Sequence, residues 1–304
     1  MPVRKRLPMT QTQIDGALGF QLVVIIPAYN AETTLAGQLD MLCRQTCNVS
    51  WEIVVVDNGS TDETSAVVLS YSSSQIPVRV VRASDRRGPA YARNVGVTAS
   101  SSKWIAFCDA DDLVAAGWLA AVSDALAEHA FVSGPVELDQ LNAPWSRASR
   151  GRSFANQLTV FEGMVPYASS CNMAMTREVF EQAGGFDESL PVGEDIDLSL
   201  RLWQQGTALH FEEGATVQYR LRDRQRALFR QSREYGAIHP VLIERCRKAG
   251  ISAPSRLAGV KGWLWMVRNV PMLATRAGRA RWLWVAGRQV GRIQGGMHVR
   301  RLYV

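Results

Sequence analysis

Trp104-Ile105-Ala106-Phe107-Cys108-Asp109-Ala110-Asp111-Asp112 is the stretch on which the fold turns. An apolar run bounded by acids reads as a buried strand that ends at a surface. Three carboxylates at the mouth of a strand repel one another unless a cation lies among them. Hard divalent cations such as Mg²⁺ or Mn²⁺ take oxygen ligands and keep places for water and substrate phosphates. On its own the stretch has a second reading, an acidic turn that caps the next helix, because Asp is a favoured N-cap residue. The sequence on either side decides between the two.

Working outward, Leu22-Val23-Val24-Ile25-Ile26 is a β-branched run stopped by Pro27, and Trp51-Glu52-Ile53-Val54-Val55-Val56 is a second run stopped by Asp57-Asn58-Gly59-Ser60. Both read as buried strands. Residues 32–43 carry helical spacing through Leu35, Leu39 and Leu42, and residues 61–71 read as the next helix. Val78-Arg79-Val80-Val81 is a third strand, Gly88-Pro89 opens a helix that runs to Ala99, and the strand ending at the acids is the fourth. Strands alternating with helices imply βαβ units and a mostly parallel sheet. In such sheets ligands bind beyond the carboxyl ends of the strands. Pro27-Ala28-Tyr29-Asn30, Asp57-Asn58-Gly59-Ser60 and Asp109-Ala110-Asp111-Asp112 all stand at those ends. Further on, residues 130–136 hold a short strand-like piece, and the Arg/Ser-rich residues 145–153 read as a surface loop. A second acidic group, Gly193-Glu194-Asp195-Ile196-Asp197, opens a helix over 198–205. Acids in a first helical turn are ordinary partners of the helix dipole. With Leu198 and Leu202 burying the opposite side, one of the three acids is free to face a cleft.

The chain has 304 residues, 47% of them hydrophobic and 20% charged, the composition of a globular protein. No apolar run reaches the ~18 residues that suggest a membrane span. The first residues hold Arg4, Lys5 and Arg6 with no apolar core behind them, so residues 1–20 read as a mobile tail rather than a signal peptide. Cys43, Cys47, Cys108, Cys171 and Cys246 are odd in number and form no CxxC pair. They read as reduced packing residues of a cytosolic protein. Residues 251–304 contain ten Arg and Lys and no acid, whereas the first 250 residues hold 24 basic and 28 acidic side chains. That asymmetry points to an anionic partner, nucleic acid or a membrane surface.

Taken together, Ile26-Pro27-Ala28-Tyr29-Asn30, Val56-Asp57-Asn58-Gly59-Ser60-Thr61-Asp62 and Ala92-Arg93-Asn94-Val95-Gly96 resemble the motifs of family 2 glycosyltransferases. Phe107-Cys108-Asp109-Ala110-Asp111-Asp112 resembles that family's metal-binding DXD motif. Gly184-Gly185-Phe186-Asp187 and Gly193-Glu194-Asp195-Ile196-Asp197-Leu198 resemble its acceptor-side ED motif. Each motif is weak alone, but the ordered set from about Leu22 to about Gly236 is specific. The resemblance implies an α/β fold of the GT-A type: a Rossmann-like, mostly parallel central sheet flanked by helices, here followed by a helical basic C-terminal extension. The expected divisions are 1–20 for the tail, 21–236 for the GT-A domain and 237–304 for the extension. The implied activity is inverting, metal-dependent transfer of one sugar from a nucleotide-sugar, a UDP-sugar favoured, to a hydroxyl acceptor that is lipid-linked or part of a cell-envelope glycan. Carried over by position, Pro27, Ala28, Tyr29 and Glu32 line the nucleotide, Asp57 contacts the base, Asp109 lies near the ribose with Ala110 beside it, and Asp111, with Asp109, binds Mn²⁺ or Mg²⁺. Arg93 has two readings, a donor contact or a salt bridge that holds the acidic loop. Asn172 likewise reads as a sugar or acceptor contact or as a turn residue.

The chemistry is coherent. A divalent cation neutralises the leaving diphosphate, and a carboxylate on the far side of the sugar takes the acceptor's proton. Asp195 is the candidate base, with Glu194 as its neighbour and fallback. Two departures from the family pattern stand out. Gln218 occupies the place where many relatives carry a His that completes the metal shell, and the QxxRW signature of processive synthases is absent, so single-sugar transfer is expected. In the basic extension, Trp282, Leu283, Ala286, Val290 and Ile293 fall on one side of a helix, and Arg281, Arg288 and Arg292 fall away from it. That pattern suits an interfacial helix on an anionic membrane surface; the other reading is that the Trp side packs on the catalytic body. No nucleic-acid-binding module accompanies the charge, so nucleic acid is not expected as a partner. The implied location is cytoplasmic and peripheral on the inner face of a cell membrane, and the excess of Arg over Lys points to a bacterial source. Three other classes compete. A catalytically silent nucleotide-sugar-binding scaffold of the same fold is opposed by the intact acids, a nucleotidyltransferase by the lack of a Gly- and basic-rich phosphate loop at Pro27 to Asn30, and a dinucleotide-dependent oxidoreductase by the lack of GxGxxG after the first strand.

Overall fold

The computed structural model describes residues 19–150, 157–301 and 303. Most of the tail expected over 1–20, and the end of the Arg/Ser-rich segment 145–153, lie outside the described residues. The strands are β1 (Leu22–Ala28), β2 (Trp51–Asp57), β3 (Val78–Arg82), β4 (Trp104–Phe107), β5 (Leu113–Val114), β6 (Phe131–Ser133), β7 (Val136–Glu137), β8 (Thr159–Phe161), β9 (Val165–Tyr167), β10 (Met173–Thr176), β11 (His210–Phe211) and β12 (Val217–Gln218). The helices are α1 (Leu35–Cys43), α2 (Thr64–Leu69), α3 (Pro89–Thr98), α4 (Trp118–Glu128), α5 (Pro144–Arg150), α6 (Arg177–Gln182), α7 (Glu194–Gln204), α8 (Gln225–Lys248), α9 (Val260–Arg268) and α10 (Arg276–His298). Two 3₁₀ turns, Arg256–Gly259 and Val270–Ala274, flank α9.

A seven-stranded sheet runs in the order β11-β6-β10-β4-β1-β2-β3. β4, β1, β2 and β3 are mutually parallel, β11 is parallel to β6, and β10 is antiparallel to both of its neighbours. The β-branched runs are buried on both faces, as a helix-covered parallel sheet requires. Leu22, Val24 and Ile26 enter one core layer with Leu35 and Leu39 of α1, while Val23 and Ile25 enter the other with Ala92 of α3. Ala28 pairs with Asp57 and Ile25 with Phe107, so β1, β2 and β4 deliver their carboxyl ends to one rim. A small sheet, β5-β12-β7, hangs below that rim and fixes the chain after the acids against Val217 and Gln218.

The expected strands are all present, and the helices differ mainly at their ends. Residues 145–150 differ in kind from the loop expected there: Pro144–Arg150 is helical. The cause is packing. Ser146 and Ser149 are buried, and α5 lies against α10, where the Arg281 Nη1 donates to the Ser149 carbonyl at 3.0 Å.

The C-terminal extension is three helical layers. α8 is continuous through positions 236 and 237, where a division was expected. α10 packs parallel to it through glycines four residues apart, at closer range than side chains allow. A Cβ on Gly291 would lie 2.0 Å from the Arg233 carbonyl oxygen, and one on Gly295 would lie 2.0 Å from that of Ala237. This corrects the helical face expected for α10. Its buried seam is Ala280, Trp284, Gly287, Gly291 and Gly295, and its Trp282 side is covered by α9, whose Met266 carbonyl accepts from Trp282 Nε1 at 3.1 Å. Arg281, Arg288 and Arg292 line the inner cleft.

Candidate active site

The rim is built by hydrogen bonds between loops that are distant in sequence. Asn30, in the left-handed region at φ 49°, accepts from Thr61 N at 2.8 Å through its side chain, and its own N–H donates to Ser60 Oγ at 3.0 Å. Ala31 N donates to Thr64 Oγ1 at 2.8 Å. The β1 and β2 loops are therefore one unit, with Tyr29 exposed at its edge and the Arg87 guanidinium 4.6 Å from the centre of the Tyr29 ring. Two residues expected at the nucleotide serve this unit internally. Asp57 accepts from Ser65 Oγ at 2.6 Å and Ser60 N at 2.8 Å, and Glu32 accepts from Glu63 N at 3.0 Å. Burial works against ionisation of Asp57, but those donors and Arg82 hold its carboxyl below the usual range. Pro27, Ala28, Tyr29, Arg93, Asp109, Ala110, Asp111, Glu194 and Asp195 all face a cleft of about 1700 Å³; Asp57 and Glu32 do not.

Behind the rim, Asp109, Asp111 and Asp112 bring carboxylate oxygens within 4.8 Å of one another. Burial, and then the Asp109 charge, push Asp111 and Asp112 above the usual carboxylate range, Asp112 farthest. Asp112 is fully buried: Oδ1 accepts from Arg220 N at 2.7 Å, and Oδ2 has no partner among the described residues. Crowded carboxylates with an orphaned buried oxygen are an oxygen donor set suited to a hard divalent cation. Asp109 and Asp111 would hold the ion on the cleft side. No His joins them. Gln218, at the expected His position, donates to Glu137 at 2.7 Å; His210 stacks on His129 and His239 bonds Glu162. Arg220 and Arg222 take that side instead, Arg220 Nε donating to the Asp111 carbonyl at 2.8 Å and Arg222 Nη1 reaching Asp111 Oδ2 at 3.3 Å. The basic pair Arg220-Leu221-Arg222 after a strand was the overlooked signal for cations beside the acidic cluster.

Across the cleft, Gly193 turns the chain into α7 at φ 77°, a conformation that favours glycine. Glu194 and Asp195 thereby open the helix at the cleft wall. Asp195 accepts from Ile196 N at 2.8 Å and Ser170 N at 3.3 Å. Burial, followed by the Glu194 charge, pushes its carboxyl up to about 7. Asp197, in the same turn, points away from the cleft to Arg201 and Arg245.

Arg93 connects the two sides. Its guanidinium is buried and donates to Asp109 Oδ1 and to Glu194 Oε1, each at 2.7 Å. Of its two readings, the geometry has the salt bridge. Asn172 also has a structural place: it accepts from Trp118 Nε1 at 2.9 Å and donates to the carbonyls of Ala215 and Pro135.

Residues 23–184 match the family described as Glycosyl transferase family 2, and residues 104–290 match Glycosyl transferase family group 2. The chain is 30% identical over 192 residues to the glycosyltransferase AglE of Haloferax volcanii, covering 62% of this chain and 63% of that one. It is 36% identical over 97 residues to the Escherichia coli UDP-Glc:alpha-D-GlcNAc-diphosphoundecaprenol beta-1,3-glucosyltransferase WfgD, covering 32% of this chain and 36% of that one. It thus spans less than two thirds of the length of either relative. Among solved structures, the mannosyltransferase PcManGT from Pyrobaculum calidifontis, in complex with GDP-Man and Mn²⁺, superimposes with a TM-score of 0.66 at 19% identity, over 92% of this chain and 88% of that one. At that identity the likeness carries the fold, the GT-A arrangement implied by the motifs. Because the family match spans more than half of the chain, from the first strand through the acids at the rim, the chain belongs to glycosyl transferase family 2.

Proposed function

We propose that this chain is an inverting, metal-dependent glycosyltransferase that moves one sugar from a nucleotide-sugar, a UDP-sugar in the first instance, to a hydroxyl of a lipid-linked or cell-envelope glycan. The observation that carries the reading is the Arg93 bridge: one buried guanidinium ties Asp109, on the metal side, to Glu194, beside Asp195, at 2.7 Å to each. The two groups that inverting transfer needs are thus held in one rigid frame. A bound Mn²⁺ or Mg²⁺ supplies Lewis-acid neutralisation of the leaving diphosphate. That PcManGT was solved with Mn²⁺ supports the choice of ion.

The residues present would act as follows. Tyr29 and Arg87 offer a stacking face and a cation at the mouth for the nucleotide. Arg220 and Arg222 add positive charge beside Asp111, where the phosphates would lie. Asp195 Oδ takes the proton of the acceptor hydroxyl as the oxygen attacks the anomeric carbon from the face opposite the leaving phosphate. The C–O bond to phosphate breaks as the new one forms, and the configuration inverts. A base near pH 7 is well matched to this step. Arg93 positions Asp109 and Glu194 and keeps charge balanced in a region otherwise crowded with acids.

A lipid-linked acceptor is supported by the acceptor in WfgD's name. No described helix is long and apolar enough to cross a membrane. Contact with an anionic leaflet, proposed for residues 251–304, falls to α9 rather than α10. Leu257, Val260, Leu264, Val267 and Val270 are exposed along one ridge, with Lys261 and Arg268 beside them. Apolar residues flanked by basic ones are what interfacial binding requires. The catalytic reading is tested by melting the full chain with UDP-, GDP- and dTDP-sugars, with and without Mn²⁺. One donor is expected to stabilise it only with the metal; no metal-dependent stabilisation by any donor overturns the reading.

A further inference from the structure

The cleft that holds Asp195 is also lined by arginines that the donor chemistry does not use. Arg150 closes α5, and Arg281, Arg288 and Arg292 of α10 line the cleft beside it. The Arg150 guanidinium lies 3.5 Å above the Trp284 ring and donates to Gln231 Oε1 at 2.8 Å. Its Nε is shut off from solvent without a partner among the described residues. Arg281 bonds the Ser149 carbonyl, and neither it nor Arg150 meets a carboxylate among the described residues. Glu162, at the tip of the β8–β9 hairpin, is the acid in contact here. It is already bonded to His239 at 2.6 Å and lies 3.6 Å from Arg288 Nη2. Arg292 Nη2 stands 3.4 Å from His239 Nε2.

Collecting like charges in a dry pocket is unfavourable without a counter-charge. Burial pulls Arg150, Arg281 and Arg292 below their ordinary range, and Arg288 adds to the repulsion on each. Tyr167, Tyr235 and Asp195 line the same cleft as these arginines. An anion held by the arginines would therefore share that cleft with Asp195. Guanidinium forks match phosphate oxygens, and several around one site suit a diphosphate better than a single carboxylate.

We propose that the acceptor carries a phosphate or diphosphate, and that Arg150, Arg281, Arg288 and Arg292 receive it and so hold the acceptor hydroxyl at Asp195. The proposal rests on the glycosyltransferase reading of the cleft. It is tested by calorimetric titration of the full chain with inorganic pyrophosphate in EDTA. Saturable binding is expected, weakened at least ten-fold by Arg288→Ala and by Arg281→Ala. Arg150→Gln is a third variant, accepted only if its melting curve stays cooperative. No saturable binding, or binding unchanged in both alanine variants, overturns the proposal. A prenyl-diphosphate sugar in micelles that binds ten-fold tighter than pyrophosphate, with the same arginine dependence, assigns the anion to a lipid carrier; equal affinities assign it to a soluble phosphate. Titration of UDP, GDP and dTDP, each with Mn²⁺, on the same protein separates the two claims. Nucleotide binding without pyrophosphate binding sinks only the arginine site, whereas arginine-dependent pyrophosphate binding without nucleotide binding sinks the donor reading.

Discussion

Asp195 and Arg93 set the chemistry at the residue scale. With Asp195 raised to about 7, transfer should climb with pH through about 7 and level off above it, and Asp195→Asn should lower turnover by about 10²–10⁴-fold. A rate that is flat from pH 5.5 to 8.5 would remove Asp195 as the base. The same shift acts on stability. The folded state holds this proton more tightly than the unfolded chain does, so the group stabilises the fold below about pH 4, and that contribution is lost as pH rises toward about 7. Asn at 195 does not ionise, so the variant should melt about 2 °C or more above the wild type at pH 8 and no higher than it at pH 4. Arg93→Met leaves Glu194 buried and unpaired and should cost about 3–5 kcal/mol in denaturant unfolding. A loss under 1 kcal/mol would mean that the bridge does not hold the two sides together.

Among the elements, the strands were legible because their physics is local. Runs such as Leu22-Val23-Val24-Ile25-Ile26 can only be buried on both faces, and each ends at an acid or proline that marks the rim. Asp109, Asp111 and Asp195 were legible for the same reason, since short motifs at strand and helix ends carry them. α10 was not. Hydrophobic periodicity picked out its Trp282 side, for a membrane surface or for packing on the body, but the glycines that make its real seam have no side chains for such a pattern to register. Nor could the arginine pocket be read, because Arg281 and Ser149, bonded in the fold, are 132 positions apart. The glycine seam is testable. Gly291→Ala places a methyl against backbone and should destabilise by about 1–3 kcal/mol, whereas Gln294→Ala, exposed on the same helix, should change stability by less than about 0.5 kcal/mol. Equal effects would show that the helices are not in backbone contact.

On the scale of the whole molecule, the basic excess divides into two surfaces. Arg281, Arg288 and Arg292 of α10 face the cleft, while α9 presents apolar and basic residues outward. Replacing Leu264 and Val267 together by Glu should reduce co-sedimentation with anionic vesicles several-fold, with little change in melting temperature, because both side chains are exposed. Undiminished co-sedimentation would show that this ridge is not the lipid-facing surface. The central claim is that one cleft holds a metal-dependent donor station and, across from it, a separate base. It is tested most directly by titrating the preferred nucleotide-sugar, with and without Mn²⁺, into the wild type, Asp111→Asn and Asp195→Asn, and measuring transfer on the same samples. Asp111→Asn should lose the metal-dependent part of binding, and Asp195→Asn should bind the donor nearly as the wild type does yet transfer almost nothing. Donor binding lost in Asp195→Asn, or metal dependence kept in Asp111→Asn, would contradict that division of roles.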